Sequence, residues 1–330
     1  MFSNWLRNGS VAVAALTLSS VHAFGSRPAE DPLLRLVPAN AEIVAGIEDP
    51  HHGDQRGRLL IVTHSDNVDL QDWTALAGVY DGQHVDRLIE VAASSPRGEL
   101  IEHLLLARGA FNGWRLLNAA RHSGGPNYNY HGVQLVQLNP SPRENKEMRD
   151  TRWLAVLDDN TVVFGTPLLV KSALDRYASS APVDPALAKR LSELAPDVNS
   201  WSILNMPGQV MEAHILPGVL EATSAELMRH ATSFSVSIHY GSKERIDFAF
   251  SMGDAVAANA LATRIRGPAQ LLPAAETLHS QLDHVSVQGN EVHGSVRMKG
   301  KAFDPWLAEL VARTSPGARE QSAMQMAAGR

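Results

Sequence analysis

The stretch Thr151 to Ser179, TRWLAVLDDNTVVFGTPLLVKSALDRYAS, constrains the fold more than any other. Trp153 to Leu157 is an apolar run, Asp158-Asp159-Asn160 carries turn chemistry, and Thr161 to Phe164 is β-branched and aromatic. Gly165 breaks the second strand. Thr166 followed by Pro167 is a helix start, because proline fits the first helical position and threonine can cap it. Val170, Leu174 and Tyr177 then recur at helical spacing. Leu154 and Val156 make one face of the hairpin apolar, and Trp153, Ala155 and Leu157 the other. A hairpin with two apolar faces belongs in the interior of a sheet.

The same order returns twice. Phe234, Val236, Ile238 and Tyr240 alternate with Ser235, Ser237 and His239, and Gly241-Ser242-Lys243 turns the chain. Ile246, Phe248, Phe250 and Met252 then alternate with Arg245, Asp247, Ala249 and Ser251, which predicts an antiparallel pair with one wet face. Asp254 caps the helix that follows, with Leu261 and Ile265 four apart. The third hairpin is Val285 to Gln288, a Gly289-Asn290 turn, and Glu291 to Met298. A helix with Phe303, Trp306, Leu307 and Leu310 is expected after it. The three turns are unevenly spaced, so this is a recurring supersecondary unit and not a solenoid.

Upstream, Leu33 to Pro38 reads as a turn of helix and Ala41 to Ile47 as a strand. Arg58 to Thr63 would pair with that strand, and Asp69 to Leu76 reads as a helix. Val85 to Ala93 and Ile101 to Phe111 read as strands. Asn112 caps a helix expected to turn Trp114, Leu117 and Ala120 inward, and Tyr128 to Leu138 reads as one strand. Past residue 182, Pro185 to Leu194 reads as a helix, Trp201 to Leu204 as a strand and Leu220 to His230 as a helix. The expected fold is α+β: a mostly antiparallel sheet of successive hairpins, helices packed on one face, and two similar lobes. The change of composition between Ser179 and Asp184 places the lobes at 24–182 and 183–314, with 315–330 a disordered tail.

Residues 1–23 read as a secretory signal. Arg7 precedes the apolar run Val11 to Leu18, and Val21-His22-Ala23 fits cleavage after Ala23. The run is much shorter than the ~20 apolar residues of a membrane span. The chain has no cysteine. Export without thiols points to a periplasmic or extracellular setting, with no disulfide scaffold and no membrane span after cleavage. The chain carries 29 basic and 35 acidic residues; without Arg7 that is 28 against 35, a net charge of −7. No basic block of five or six residues appears, which argues against nucleic acid and anionic lipid as partners.

Motifs for chemistry are incomplete throughout. Gly165 to Ser172 resembles a phosphate loop at its first Gly, Lys171 and Ser172, but Val170 stands where the second glycine must turn backbone N–H groups onto phosphates. No cofactor is expected. His51, His52 and Asp54 lie in one loop and are the candidate metal ligands, imidazole and carboxylate being suited to a divalent ion. With a two-residue turn at Gly289-Asn290, Ser286 faces His293 and His284 faces Ser295, so the two histidines share a face on a diagonal. G-x-S-x-G, S-x-x-K and HExxH are absent, and no cysteine nucleophile exists. Aromatic residues are 6% of the chain, and Trp114, Trp153 and Trp306 fall on core-facing patterns, so no sugar-stacking platform is indicated.

The entry Leu33-Leu-Arg-Leu-Val-Pro-Ala-Asn-Ala-Glu-Ile-Val-Ala-Gly-Ile47 resembles the start of several bacterial extracytoplasmic families of unknown function. Leu104 to Phe111, Tyr130-His-Gly-Val133 and Val162-Val-Phe-Gly165 are similar to their later strands. The resemblance implies α+β architecture and an envelope setting, and carries no active-site residues. The functional expectation is a non-catalytic binding or scaffold module of the envelope. Its candidate surface is the polar sheet face bearing Arg245, Asp247, His293 and Arg297, facing an envelope protein or polymer. The alternatives are an extracytoplasmic hydrolase with an unrecognised acid–base pair, and a metal-binding accessory protein.

Overall fold

The computed structural model describes residues 31–48, 85–94, 101–109, 112–122, 125–138, 151–195, 198–205, 229–239, 244–266 and 282–298. The expected signal at 1–23, strand at 58–63, helices near Trp73, Leu220 and Trp306, and tail at 315–330 all fall outside the described residues.

A 3-10 turn, Pro32–Leu36, leads into β1 (Ile43–Glu48). Then come β2 (Val85–Ser94), β3 (Ile101–Gly109), α1 (Gly113–His122), β4 (Asn127–Tyr130), β5 (Val133–Leu138), β6 (Arg152–Asp158) and β7 (Thr161–Gly165). They are followed by α2 (Pro167–Ala178), α3 (Pro185–Glu193), β8 (Ser200–Asn205), β9 (Ala231–His239), β10 (Glu244–Met252), α4 (Ala255–Arg266), β11 (Leu282–Gln288) and β12 (Glu291–Met298). The twelve strands among the described residues form one sheet, in the order β11-β12-β10-β9-β8-β1-β2-β3-β7-β6-β5-β4, and each of these pairings is antiparallel. The mostly antiparallel α+β fold is therefore as expected. The β6/β7 hairpin lies inside the sheet, between β3 and β5. The third hairpin has the register that its two-residue turn dictates, with Gln288 opposite Glu291 and Ser286 opposite His293.

Side chains alternate across the sheet, so each strand feeds two cores. On one face Val44, Ile89, Val91, Leu104, Leu106 and Val163 pack against the 3-10 turn (Leu33, Leu34), α2 (Leu169, Val170, Leu174) and α3 (Leu187, Leu191). On the other face Leu105, Ala107, Leu154 and Phe164 lie under Leu116 and Ala120 of α1. Farther along that second face, Phe250 and Val292 lie under Ala258, Leu261 and Ala262 of α4. Helices thus cover both faces, which corrects the one-face expectation. The physical reason is in the strands: β2, β3, β6 and β7 are apolar on both sides, and each buried large aliphatic side chain is worth about 1.5–3 kcal/mol, so both sides are covered.

The sheet repeats one wiring. A meander β1-β2-β3 is followed by α1, and β7 returns to pair with β3; a meander β8-β9-β10 is followed by α4, and β12 returns to pair with β10. Asn112 Oδ1 accepts from Arg115 N–H at 3.0 Å at the start of α1, and Asp254 Oδ1 accepts from Ala257 N–H at 2.8 Å at the start of α4. Glu42 N–H donates to Ala92 O at 2.9 Å, and Asn199 N–H to Ile238 O at 3.0 Å. Gly109 N–H donates to Asn160 O, and Met252 N–H to Asn290 O, both at 2.9 Å.

Four further expectations are corrected. Tyr128 to Leu138 is a hairpin, β4 and β5, because His131 (φ 52°) and Gly132 (φ 82°) both take left-handed backbone and close a two-residue turn. Trp114 is 72% exposed, since the buried side of α1 is Gly113, Leu116 and Ala120, with Leu117 beside them. Tyr177 is 43% exposed, one position beyond the buried stripe of α2. The supposedly wet face of the second hairpin is buried at Ser235, Ser237, His239 and Ser251. Part of the reason is that α3 approaches from that side, where Arg190 donates to Ser251 Oγ.

Candidate functional site

The polar face of the C-terminal strands is built by alternation. Arg245 stands opposite both His239 and Arg297, Asp247 opposite Ser237 and Ser295, and Ala249 opposite Ser235 and His293. Arg245, Asp247, His293 and Arg297 therefore share one face of two adjacent strands, as their spacing predicts. Two arginines directly opposite would repel. Each instead has a carboxylate: Arg245 Nε lies 2.8 Å from Asp247 Oδ2, and Arg297 Nε 3.2 Å from Asp283 Oδ2. His293 Nε2 lies 3.3 Å from Glu291 Oε2. His239 Nε2 is 3.2 Å from Asp247 Oδ2 and 2.9 Å from Arg245 Nη2. Burial opposes the charge on Asp247, but hydrogen bonds from His239 and Ser295 and the Arg245 charge outweigh it and hold the carboxyl below its ordinary range. Exposure grows outward from buried β9 through half-buried Arg245 and Asp247 to exposed Arg297. The face is a charge-matched polar lattice, open at β12 and β11.

A second cluster lies at the opposite end of the sheet, on the face covered by α2. Tyr128 and Tyr130 point to that face from edge strand β4, and Trp153 from β6. Tyr128 stacks on Trp153, with centroids 5.3 Å apart and planes at 27°. Lys171 Nζ, on α2, lies 5.1 Å from the Trp153 ring centre and 6.0 Å from that of Tyr130. Tyr130 OH donates to Asp175 Oδ1 at 2.8 Å, and His131 Nε2 lies 2.8 Å from the same oxygen. The hydrogen bond to Asp175, with a little burial, raises the Tyr130 phenol above its ordinary value and keeps it protonated. Lys171, one remnant of the phosphate-loop resemblance, thus faces aromatic rings. The sequence pattern hides this cluster, because Trp153 falls on a core-facing period and also packs against the core, and because Tyr128 to Leu138 reads as one strand without the His131-Gly132 turn. The signal was there: in Asn-Tyr-Asn-Tyr-His-Gly the two tyrosines alternate into a turn.

A half-buried acid stands between the two ends. Glu90 on β2 has Ala45 and Leu105 as its cross-strand neighbours, on the α1 face. Burial pushes its carboxyl up to about 7, into the range useful for proton transfer. Ser202 lies beyond Ala45 in the same row, buried, but its hydroxyl has no hydrogen-bond partner among the described residues, so Glu90 does not activate it.

The candidate metal ligands His51, His52 and Asp54 lie outside the described residues. Among the described residues no three His, Asp or Glu side chains converge as a metal site would require. His284 faces Ser295 and His293 faces Ser286, so the diagonal of the two histidines is as their spacing predicts. Compared with protein-family models, curated proteins and solved structures, the chain matches none.

Proposed function

We propose that this chain is a non-catalytic binding or scaffold module of the cell envelope, exported by residues 1–23 and acting in the periplasm or outside the cell. Its partner, an envelope protein or polymer, docks on the polar face of β10, β12 and β11. The observation that carries this reading is the register that sets Arg245, Asp247, His293 and Arg297 side by side on one partly open face. Charges already paired within the face need little rearrangement on docking, and such surfaces give specificity and encounter rate more than raw affinity. No helix among the described residues is long and apolar enough to cross a membrane. The test is crosslinking in intact native cells, followed by mass spectrometry of the recovered protein and its partners. The expected mature start is Phe24, and an Arg245→Gln, Arg297→Gln double variant that keeps its circular dichroism spectrum should lose the partner recovered with the unmodified chain. Equal recovery, or an intact segment 1–23, would overturn the corresponding part of the proposal.

The repeated wiring supports a finer reading of the architecture. We infer that β1 to β7 and β8 to β12 are two copies of one unit, joined edge to edge through β1 and β8 around the Ala45–Ser202 pair. The matched hydrogen bonds at Glu42 and Asn199, and at Gly109 and Met252, support it, because they recur at equivalent places in the two meanders.

A further inference from the structure

The aromatic cluster at the β4 edge has features that packing alone does not require. Tyr128 rests one ring face on Trp153 yet is 44% exposed, so its other face meets water. Leu168, Lys171 and Asp175 share one stripe of α2, and all three are exposed, Leu168 at 46%. Backbone that only a minority of non-glycine residues adopt holds His131 against Asp175. Single exposed apolar residues are ordinary, but a contiguous group rimmed by polar side chains marks an interaction surface.

The chemistry of the rim narrows the occupant. The cation position over the Trp153 and Tyr130 rings is filled by Lys171, so an ammonium-bearing ligand finds its place taken. Lys171 has no carboxylate partner among the described residues, and Asp175 uses Oδ1 for both Tyr130 and His131. Donor hydrogens on the ammonium and acceptor capacity on Asp175 Oδ2 therefore stand one helical turn apart, with charges that cancel. Gln137, which accepts from Tyr128 OH at 3.2 Å, adds a planar amide beside the ring. An open aromatic face with a balanced donor and acceptor beside it suits a molecule with C–H faces and many uncharged hydroxyls. Polyphosphate or nucleic acid would need net positive charge, whereas the chain is at −6. The geometry points to a second site, for a neutral polysaccharide: one pyranose ring stacks on the free face of Tyr128, and hydroxyls of a neighbouring unit bond Lys171 and Asp175. A polymer fits better than a monosaccharide because Trp153 and Tyr130 separate Tyr128 from the Lys171–Asp175 pair.

Affinity electrophoresis of the full mature chain tests this, in gels holding β-1,3-glucan, dextran, galactomannan or, as an acidic comparison, polygalacturonate. At least one neutral polymer should retard the protein. Tyr128→Ala should weaken retardation about tenfold and Lys171→Met by a smaller factor, as expected when an anchoring aromatic or its polar neighbour is lost. Tyr128→Phe, which keeps the ring and removes only the bond to Gln137, should stay within about twofold and controls for folding. Retardation by polygalacturonate alone, by no neutral polymer, or undiminished in both Tyr128→Ala and Lys171→Met would each overturn the assignment. The Arg245→Gln, Arg297→Gln variant should be retarded like the unmodified chain, so failure at the polar sheet face and failure here are read separately.

Discussion

Glu90 costs the fold more as pH rises. Its carboxyl is lifted from 4.5 to about 7 by burial between Ala45 and Leu105, so the native state holds a proton that the unfolded chain has released. Stability is therefore undiminished below about pH 4.5, falls as pH climbs toward 7, and is flat above it, because the native state binds more protons only in that window. A fully buried group with this shift would lose about 3 kcal/mol, and Glu90 keeps part of its surface exposed, so about 1–2 kcal/mol is expected. Glu90→Gln, which keeps the shape without the charge, should then be more stable than the unmodified chain at pH 8 by about that amount, with little difference at pH 4.5. Urea unfolding at the two pH values reads it directly. A variant equally destabilised at both would mean that Glu90 makes a bond the amide cannot replace.

The elements themselves were legible wherever period and punctuation agreed. The β9/β10 and β11/β12 registers follow from strict alternation and a short turn, and Asn112 and Asp254 announce α1 and α4 as caps. Thr166 and Pro167 mark the start of α2, yet the threonine makes no cap bond; its hydroxyl donates to His103 O of β3 at 3.3 Å instead. What alternation cannot say is which face another element will cover. Ser235 and Ser237 read as wet because serine is polar, but small serines also let a neighbouring layer approach closely. Glycines inside strands carry the same ambiguity. The Trp201 ring lies over Gly46 on the adjacent strand, and the Phe248 ring over Gly294, so a Cβ at either glycine would overlap an aromatic ring. Gly46→Ala should cost about 1–3 kcal/mol through overpacking, with near-ultraviolet circular dichroism reporting the displaced indole. Gly132→Ala meets no neighbouring atom and strains only its left-handed backbone, so about 1 kcal/mol is expected there, without the indole signal.

At the scale of the whole molecule the question is whether the two runs of the repeated wiring behave as two folding units. The expected boundary at residue 182 falls between α2 and α3, and the core runs across it. Leu187 and Leu191 of α3, Val198, and Trp201 and Ile203 of β8 belong to the same buried cluster as Leu33, Val44 and Leu174. β1 and β8 are central strands, hydrogen-bonded over five residue pairs, so separating the halves would expose two long inner edges as well as Trp201. The true edges are managed differently. β4 has only four residues, and β11 carries Asp283 and His284 beside a register shift. Burial of Trp201 and Ile203 alone represents several kcal/mol, on the order of the net stability of a whole domain, so neither half is expected to outlast the other. Scanning calorimetry of residues 24–330 should show one endotherm whose calorimetric and van't Hoff enthalpies agree. A fragment of residues 24–182, which lacks β8 and α3, should be unfolded or aggregated at the same temperature. Two resolved endotherms, or a fragment that unfolds cooperatively by itself, would show instead that the β1–β8 ladder joins two bodies that had already folded.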